Sequence, residues 1–374
     1  MYSELPVQQP ATPSTNRQSL SIMLQYSRVC LDTFGYQLPP RILTSAEIEN
    51  RLAPLYERLR LTPGRLELMT GIRERRLWPP GTKPSEAAIL AGQKALEKGG
   101  WDPARIECLI FTSVSRDMME PATASFVHLG LGLPPTCLIF DISNACLGFL
   151  DGMVMLANMI ELGQVSNGLV VSGETAEELL ESTIENLVRD SSLSRKAIKP
   201  AFASLTIGSG SIALVMERAG ADEHRCRLVH GSWRASTVHS DLCHGNQLGA
   251  RTTLMETNSE ELMHRGVEAA WRTWQLFSSV PGWGGEDVDK FFCHQVGTAH
   301  ARLLFERLGL DSGKNFETLE GLGNVGSVSA PITMAMAMEQ GAFKPGQKAA
   351  LLGIGSGINC MMLGVDWGAI DGNH

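Results

Sequence analysis

Three residues of this chain, a cysteine, a histidine and an asparagine, stand where apolar runs give way to helical or glycine-rich segments, and they are the ones best suited to chemistry. Cys146 lies in Ile139-Phe-Asp-Ile-Ser-Asn-Ala-Cys-Leu-Gly-Phe-Leu-Asp-Gly. Residues 137–142 read as a buried strand, and residues 147–162 carry apolar side chains at helical spacing. A thiol at that junction faces unpaired N–H groups and the positive end of a helix dipole, which should lower its pKa and favour the thiolate nucleophile. A free cysteine can equally be a small core residue. His294, in Phe291-Phe-Cys-His-Gln-Val-Gly, follows an apolar run at the start of a helix. Asn324, in Gly321-Leu-Gly-Asn-Val-Gly-Ser, is surrounded by glycines that let backbone approach a ligand closely. Taken singly, the histidine reads as structural and the asparagine as serving its turn. Taken together the three supply a nucleophile, a proton acceptor or donor, and an amide that can hydrogen-bond a carbonyl oxygen.

Such a set needs strands and helices to hold it. Residues 20–31 can form a strand, and residues 44–59 read as helical with Ser45 as the candidate cap. A helix from Ser85 ends at Gly99-Gly100. Strands are then expected at 106–114, 136–142 and 167–172, with a helix at 146–162. Residues 174–199, richer in charge, read as a surface helical excursion before the small-residue run 201–215. In the second half, 227–235, 289–293, 348–354 and 358–365 read as strands, the last two separated by Gly355-Ser-Gly. Residues 260–277, 298–308 and 329–340 read as helices. The alternation predicts a layered α/β fold with buried strands. The similar order of elements in the two halves suggests a structural duplication without residue repeats. The expected division is a flexible N-terminal tail (1–18), a half carrying the cysteine (19–220) and a half carrying His and Asn (221–374). Met334, Met336 and Met338, two apart on a helix, read as core filling and not as a cofactor box.

Composition bounds the function. The chain has 374 residues, 43% hydrophobic and 19% charged, with a net charge of −8. This is the make-up of a soluble globular protein, and it has no basic stretch dense enough for nucleic acid. Eight scattered cysteines without C-x-x-C pairs suggest neither a disulfide framework nor a zinc site. The first eighteen residues lack the apolar core of a signal peptide. No apolar stretch reaches the ~18 residues of a membrane span. A reducing cytoplasm is the expected compartment.

The order Cys, His, Asn also occurs in papain-like hydrolases, but the C-G-[SA]-C-[WY] signature and a secretory segment are missing. The motifs Asn144-Ala-Cys-Leu-Gly-Phe, Cys293-His-Gln and Gly323-Asn-Val-Gly-Ser with Pro331 beyond resemble the thiolase superfamily. Within it they look like the ketoacyl-acyl-carrier-protein synthase III branch. The resemblance runs from about Ile22 to the end and includes Gly71-Ile-Arg-Glu-Arg-Arg. Ser113-Val-Ser-Arg-Asp-Met-Met-Glu-Pro-Ala-Thr-Ala-Ser and Leu352-Gly-Ile-Gly-Ser-Gly-Ile-Asn-Cys are similar to the OleA family of bacterial condensing enzymes. That family opens long-chain olefin biosynthesis.

The resemblance implies a duplicated αβαβα thiolase fold and a head-to-head condensation of two fatty acyl-CoA molecules without decarboxylation, giving a 2-alkyl-3-keto acid. Cys146 would carry the first acyl group. His294 and Asn324 would hydrogen-bond the thioester oxygen of the second, and the backbone N–H groups of Cys146 and the Gly355-Ser356 turn would receive the oxyanion. Glu120 would be the base, acting in the other subunit of a homodimer. Coenzyme A enters only as the substrate's carrier, no cofactor or metal is expected, and downstream olefin-pathway enzymes are possible partners. Thiolases with a second cysteine in the late glycine loop use it as base, but the loop here begins Gly353-Ile-Gly, and Cys360 lies in a predicted strand. That leaves a carboxylate base or decarboxylation of a malonyl extender. The alternatives are a decarboxylating synthase III acting on malonyl-acyl-carrier protein, and a supporting subunit of a heterodimeric enzyme. Met118, Met119, Phe126, Phe149 and the 179–193 segment offer apolar surface for acyl chains.

Overall fold

The computed structural model describes residues 23–220, 225–246 and 254–368. The expected tail, 1–18, lies outside them. Ten strands form one mixed sheet. They are β1 (Met23–Gln25), β2 (Val29–Gln37), β5 (Cys108–Phe111), β6 (Leu138–Asp141), β7 (Asn167–Glu174), β8 (Gly210–Arg218), β9 (Cys226–Ala235), β12 (Lys290–Cys293), β13 (Gln347–Gly355) and β14 (Asn359–Trp367). The order is β12-β13-β14-β9-β2-β8-β7-β5-β6, with β1 beside β9. Two antiparallel pairs lie outside it, β3 (Arg41–Thr44) with β4 (Glu74–Leu77), and β10 (Cys243–Asn246) with β11 (Leu254–Thr257).

The helices are α1 (Ser45–Arg51), α2 (Ala53–Leu59), α3 (Arg65–Thr70), α4 (Pro84–Gly99), α5 (Thr123–Leu131), α6 (Gly148–Glu161), α7 (Glu177–Arg189), α8 (Ser259–Phe277), α9 (Thr298–Leu308), α10 (Leu319–Leu322) and α11 (Ser329–Glu339). Alternate strand residues sort them into layers, because successive side chains leave a strand on opposite faces. Ile110, Ile212 and Leu214 pack toward α6 and α11, whereas Leu109, Phe111, Ala213 and Val215 pack toward α4 and α5. In the second half Leu351 and Leu363 join the α6 and α11 core, and Leu352 and Met362 face α8 and α9. The two parts of the sheet meet at a single register pair, Cys30 with Arg227. Helices α6 and α11 are therefore the middle of five layers. Each fully buried Leu or Ile there contributes roughly 1.5–3 kcal/mol.

Several local expectations change. The helix expected over 44–59 is two helices, since Pro54 has no N–H to continue the first. Its cap is Thr44 rather than Ser45. The Thr44 hydroxyl accepts the Glu47 N–H at 3.1 Å while the Glu47 carboxylate accepts the Thr44 N–H at 2.7 Å. The Ser45 hydroxyl donates instead to the Ile72 carbonyl. The strand expected over 20–31 divides into β1, which pairs with β9, and β2, which pairs along its length with β8, while residues 20–22 lie outside the described residues. The 174–199 segment is not a surface excursion. Its first residue ends β7, and Leu180, Ile184 and Leu187 of α7 are buried with Leu52, Leu55 and Tyr56. The three methionines of α11 sit in or against the core.

Helix α6 begins where it does because Gly148 touches the sheet. A Cβ there would come within 2.2 Å of the Thr112 carbonyl oxygen, just past β5. This contact sets the depth at which Cys146, two residues earlier, meets the strand ends. Gly148→Ala is expected to lower stability by about 1–3 kcal/mol, the cost of overpacking, and chemical denaturation followed by circular dichroism measures it.

Candidate active site

Cys146 is held by a strained turn. Ala145 has φ +46°, in the left-handed region that side chains disfavour. The Leu147 N–H donates to the Asn144 carbonyl at 2.9 Å and the Gly148 N–H to the Ala145 carbonyl at 3.2 Å. A second turn, between β13 and β14, presses against the first, with Gly357 at φ +81° and Ile358 at φ +51°. The Asn359 amide donates to the Asn144 side-chain oxygen at 3.2 Å, and the Asn144 amide donates to Asp151 at 2.9 Å. Burial raises the Asp151 carboxyl to about 6, against the Asn144 bond that lowers it.

The strand ends, the two turns and α7 enclose a cavity of about 1300 Å³. Cys146, His294, Asn324, Gly355 and Ser356 all line it. Five of the residues expected from the sequence to form the site thus come together from separate parts of the chain. Glu120 does not join them. It is exposed, after the exposed Met118 and Met119, on a loop that runs from β5 to α5. The ends of that loop are pinned by carboxylates. Asp117 accepts from the Ser85 N–H at 2.9 Å and the Ser85 hydroxyl at 2.6 Å, and Asp141 accepts from the Thr123 and Ala124 N–H groups, each at 2.8 Å.

The thiol is not the activated thiolate expected from its place before α6. Burial pushes it up to about 12, with the charge of Glu174 and then Cys243 adding to the effect. The N–H groups of Cys146 itself and of Ser356 act the other way and are outweighed. Both N–H groups are directed at the sulfur, so the carbonyl oxygen of an acyl group bound to that sulfur would form its oxyanion beside them. His294 continues β12, its N–H donating to the Leu352 carbonyl at 2.9 Å. Burial, with His300 nearby, pushes its imidazole down to about 3, so it is neutral at physiological pH. Its Nδ1 is buried without a hydrogen-bond partner. Gln295 fixes this segment: its side chain donates to the Phe316 carbonyl at 3.0 Å and accepts from the Thr318 and Leu319 N–H groups at 3.0 and 2.8 Å.

Asn324 sits in a turn whose backbone is bound to the neighbouring segment. Its N–H donates to the Thr206 carbonyl and its carbonyl accepts from Gly208. Its side-chain oxygen accepts the Gly326 N–H at 3.1 Å, so the NH₂ end is the part available to a substrate carbonyl. The site therefore combines a neutral nucleophile, a neutral imidazole, an amide donor and two backbone N–H groups. Such a set can bind a thioester carbonyl, accept an acyl group and stabilise an enolate.

Sequence reasoning missed Glu174, Cys243 and His300, which also line the cavity. Glu174 carried a signal in its position just past the apolar run 169–171 and the small residues Ser172 and Gly173, where a charged residue would still lie at a strand end. Of the segments proposed to hold acyl chains, 179–193 contributes Leu179, while Phe149 is core and Met118 and Met119 are exposed. Met69, Phe202, Met255, Leu262 and Met263 supply apolar wall that no periodicity marked. Among the described residues, no group of three or more His, Cys, Asp or Glu could hold a metal ion. No helix there is long and apolar enough to cross a membrane.

Comparison with known proteins places these features among relatives. The family model 3-oxoacyl-[acyl-carrier-protein] synthase III matches residues 140–236, and its C-terminal companion matches residues 280–367. An acyl-CoA:acyl-CoA alkyltransferase of Shewanella oneidensis is 40% identical over 354 residues, covering 92% of this chain and 100% of that protein. One from Xanthomonas campestris is 38% identical, covering 88% and 95%. A crystal structure of a Xanthomonas campestris OleA variant with bound lauric acid and lauroyl-CoA superposes with a TM-score of 0.87 at 37% identity, covering 91% of this chain and 100% of that one.

The raised thiol has a measurable consequence. Thiolate fraction, and with it the alkylation rate, should climb about tenfold per pH unit from pH 7 to 10 with no plateau. Iodoacetamide labelling of Cys146, read by peptide mass, checks this; a plateau near pH 8 would mean that the two N–H groups dominate after all.

Proposed function

The chain belongs to the thiolase-like 3-oxoacyl-[acyl-carrier-protein] synthase III family, in the branch of the acyl-CoA:acyl-CoA alkyltransferases, and from this premise we propose that it joins two fatty acyl-CoA molecules head to head. It is an acyltransferase that forms a carbon–carbon bond and gives a 2-alkyl-3-keto acid. The observation that carries the reading is the single cavity lined by Cys146, His294 and Asn324 together with apolar wall. Its roughly 1300 Å³ exceeds the usual ~300–1,000 Å³ of a pocket for one small ligand.

The steps follow from the groups present. The Cys146 sulfur attacks the first thioester carbonyl, whose oxygen receives the Cys146 and Ser356 N–H groups as the sulfur's proton is lost. Coenzyme A leaves as the thiol, and the acyl group remains on sulfur. Because the resting thiol is protonated, the proton must depart during attack, with the neutral His294 as the nearby acceptor in this reading. The second acyl-CoA binds with its thioester oxygen at His294 and Asn324. The α-proton then passes to the partner subunit's Glu120, and the enolate attacks the acyl-Cys146 carbonyl. The carbon–carbon bond forms, the sulfur leaves and regains a proton, and hydrolysis of the remaining thioester gives the acid.

The loop geometry supports the role given to Glu120. Asp117 and Asp141 hold the ends of the loop, and residues 118–120 are exposed between them, away from the cavity of their own chain. A closed two-fold pair would let each copy supply this carboxylate to the other. The homodimer, a cytoplasmic setting and a place at the head of olefin biosynthesis belong to the same proposal. So does the division near residue 220 into a half with the nucleophile and a half with His294 and Asn324.

Purified protein given a long-chain acyl-CoA alone, with no malonyl donor, is expected to yield a β-keto acid or its decarboxylated ketone and an acyl adduct on Cys146, both read by mass spectrometry. A requirement for malonyl substrate with release of carbon dioxide would establish the decarboxylating reaction instead. Cys146→Ala should abolish the adduct. Glu120→Ala should still acylate but condense about 10²–10⁴-fold more slowly, the usual scale for loss of a general base, and condensation at the wild-type rate would remove Glu120 from the mechanism.

A further inference from the structure

The mechanism above leaves one buried carboxylate in the cavity without a part. Glu174 closes β7, is 6% exposed and lines the cavity with Cys146. A carboxylate so placed needs hydrogen-bond donors to offset desolvation, and it has them from two sides. From one side, the Val114 N–H donates to Oε1 at 2.9 Å, and the Ser115 N–H and hydroxyl donate to Oε2 at 3.2 and 3.0 Å. From the other, the Ser327 hydroxyl donates to Oε1 at 2.6 Å and the Ser327 N–H at 3.4 Å. Gly326, at φ +58°, allows this approach, since a Cβ there would lie 3.2 Å from Oε1. The Ser327 hydroxyl also meets Ser172 at 2.7 Å, and Ser172 meets Ser113 at 3.0 Å.

The two sides belong to different parts of the reaction. Val114 and Ser115 begin the loop that carries Glu120, and Ser327 lies three residues after Asn324 at the entry to α11. One carboxylate thus ties the turn with the carbonyl-binding amide to the loop with the exported base. We propose that Glu174 is a positioning residue for carbon–carbon bond formation, holding the Asn324 turn and the root of the Glu120 loop on its two oxygens. This deepens the reading above and rests on its two-step scheme.

The charge of Glu174 gives a second signature. After burial, it is the largest influence keeping the Cys146 thiol protonated, ahead of Cys243. His294, His300, Arg116 and Asp117 also line the cavity. The two imidazoles are already neutral above about pH 4, so neither produces an inflection in the alkaline range. Replacing Glu174 by Gln removes the negative charge, so the alkylation profile of Cys146 should move to lower pH. Replacing a donor serine leaves the charge and should leave the profile where it is.

Wild type, Glu174→Gln, Ser115→Ala and Ser327→Ala are compared by three measurements: acyl-enzyme formation from a long-chain acyl-CoA by intact mass, steady-state condensation, and the pH profile of Cys146 alkylation. Glu174→Gln is expected to acylate, to lose about tenfold or more in the kcat of condensation, the scale of a lost charge-assisted hydrogen bond, and to show the downward shift. The serine variants are expected to lose kcat without a shift. Wild-type condensation with an unmoved profile in Glu174→Gln would overturn the proposal, as would equal losses of acylation and condensation in all variants. If Glu174→Gln does not fold, wild-type condensation in both serine variants overturns it. If wild type itself condenses nothing from acyl-CoA alone, the two-substrate reading fails separately, and the alkylation profiles remain as the test of Glu174's charge.

Discussion

Burial of the central helical layer on both faces is the constraint from which the site follows. Helices α6 and α11 lie between the two parts of the sheet, and Leu150, Met153 and Leu156 of the one and Ile332, Met334 and Ala335 of the other belong to a single core. Where these helices meet the sheet, their faces are apolar. The N-terminal ends of such helices offer polar groups to the site, because the first N–H groups lack partners within the helix. Cys146 precedes α6, and Asn324 and Ser327 precede α11. Strands β7, β12 and β13 deliver Glu174, His294 and Gly355 to the same region. The reacting groups therefore meet because each lies at the edge of an apolar layer, not because they are near one another in the chain.

The same burial sets the electrostatics. A helix N-terminus favours a thiolate, but desolvation favours the neutral thiol, and here the charge of Glu174, on the same cavity, acts in the same direction as desolvation. Desolvation wins, and it also keeps His294 and His300 neutral. The resting site has no thiolate–imidazolium pair. Its donors are aimed at where charge develops during acyl transfer, and a neutral His294 can either accept a proton or donate a hydrogen bond. Such an arrangement stabilises a transition state in preference to a charged resting nucleophile. It also makes the thiol less open to alkylation and oxidation between turnovers, since the thiolate is the reactive form.

Much of this was legible from residue types. The largely apolar run 348–354, closed by Gly355-Ser-Gly, and the glycine pair after 98 located a strand and a helix end closely, because a strand buried on both faces is apolar throughout and a helix that ends in the left-handed region favours glycine there. Cys146 and His294 could be selected since each stands just past an apolar run with a side chain able to do chemistry, and Asn324 because glycines surround it. Local competition was harder to read. Thr44 and Ser45 are both good caps, and the choice fell to Thr44 because the Ser45 hydroxyl is engaged by the Ile72 carbonyl from another segment.

By itself, then, the sequence determined the layered α/β architecture, the three groups proposed to carry the chemistry and the family to which the chain belongs, because these depend on residue type, local spacing and motif. Tertiary structure alone decided the protonation of Cys146, the membership of Glu174, Cys243 and His300 in the cavity, and the separation of Glu120 from the cavity of its own chain. Those properties depend on how much water is excluded from a group and on which distant segments fold against it. Neither quantity is carried by neighbours in the chain.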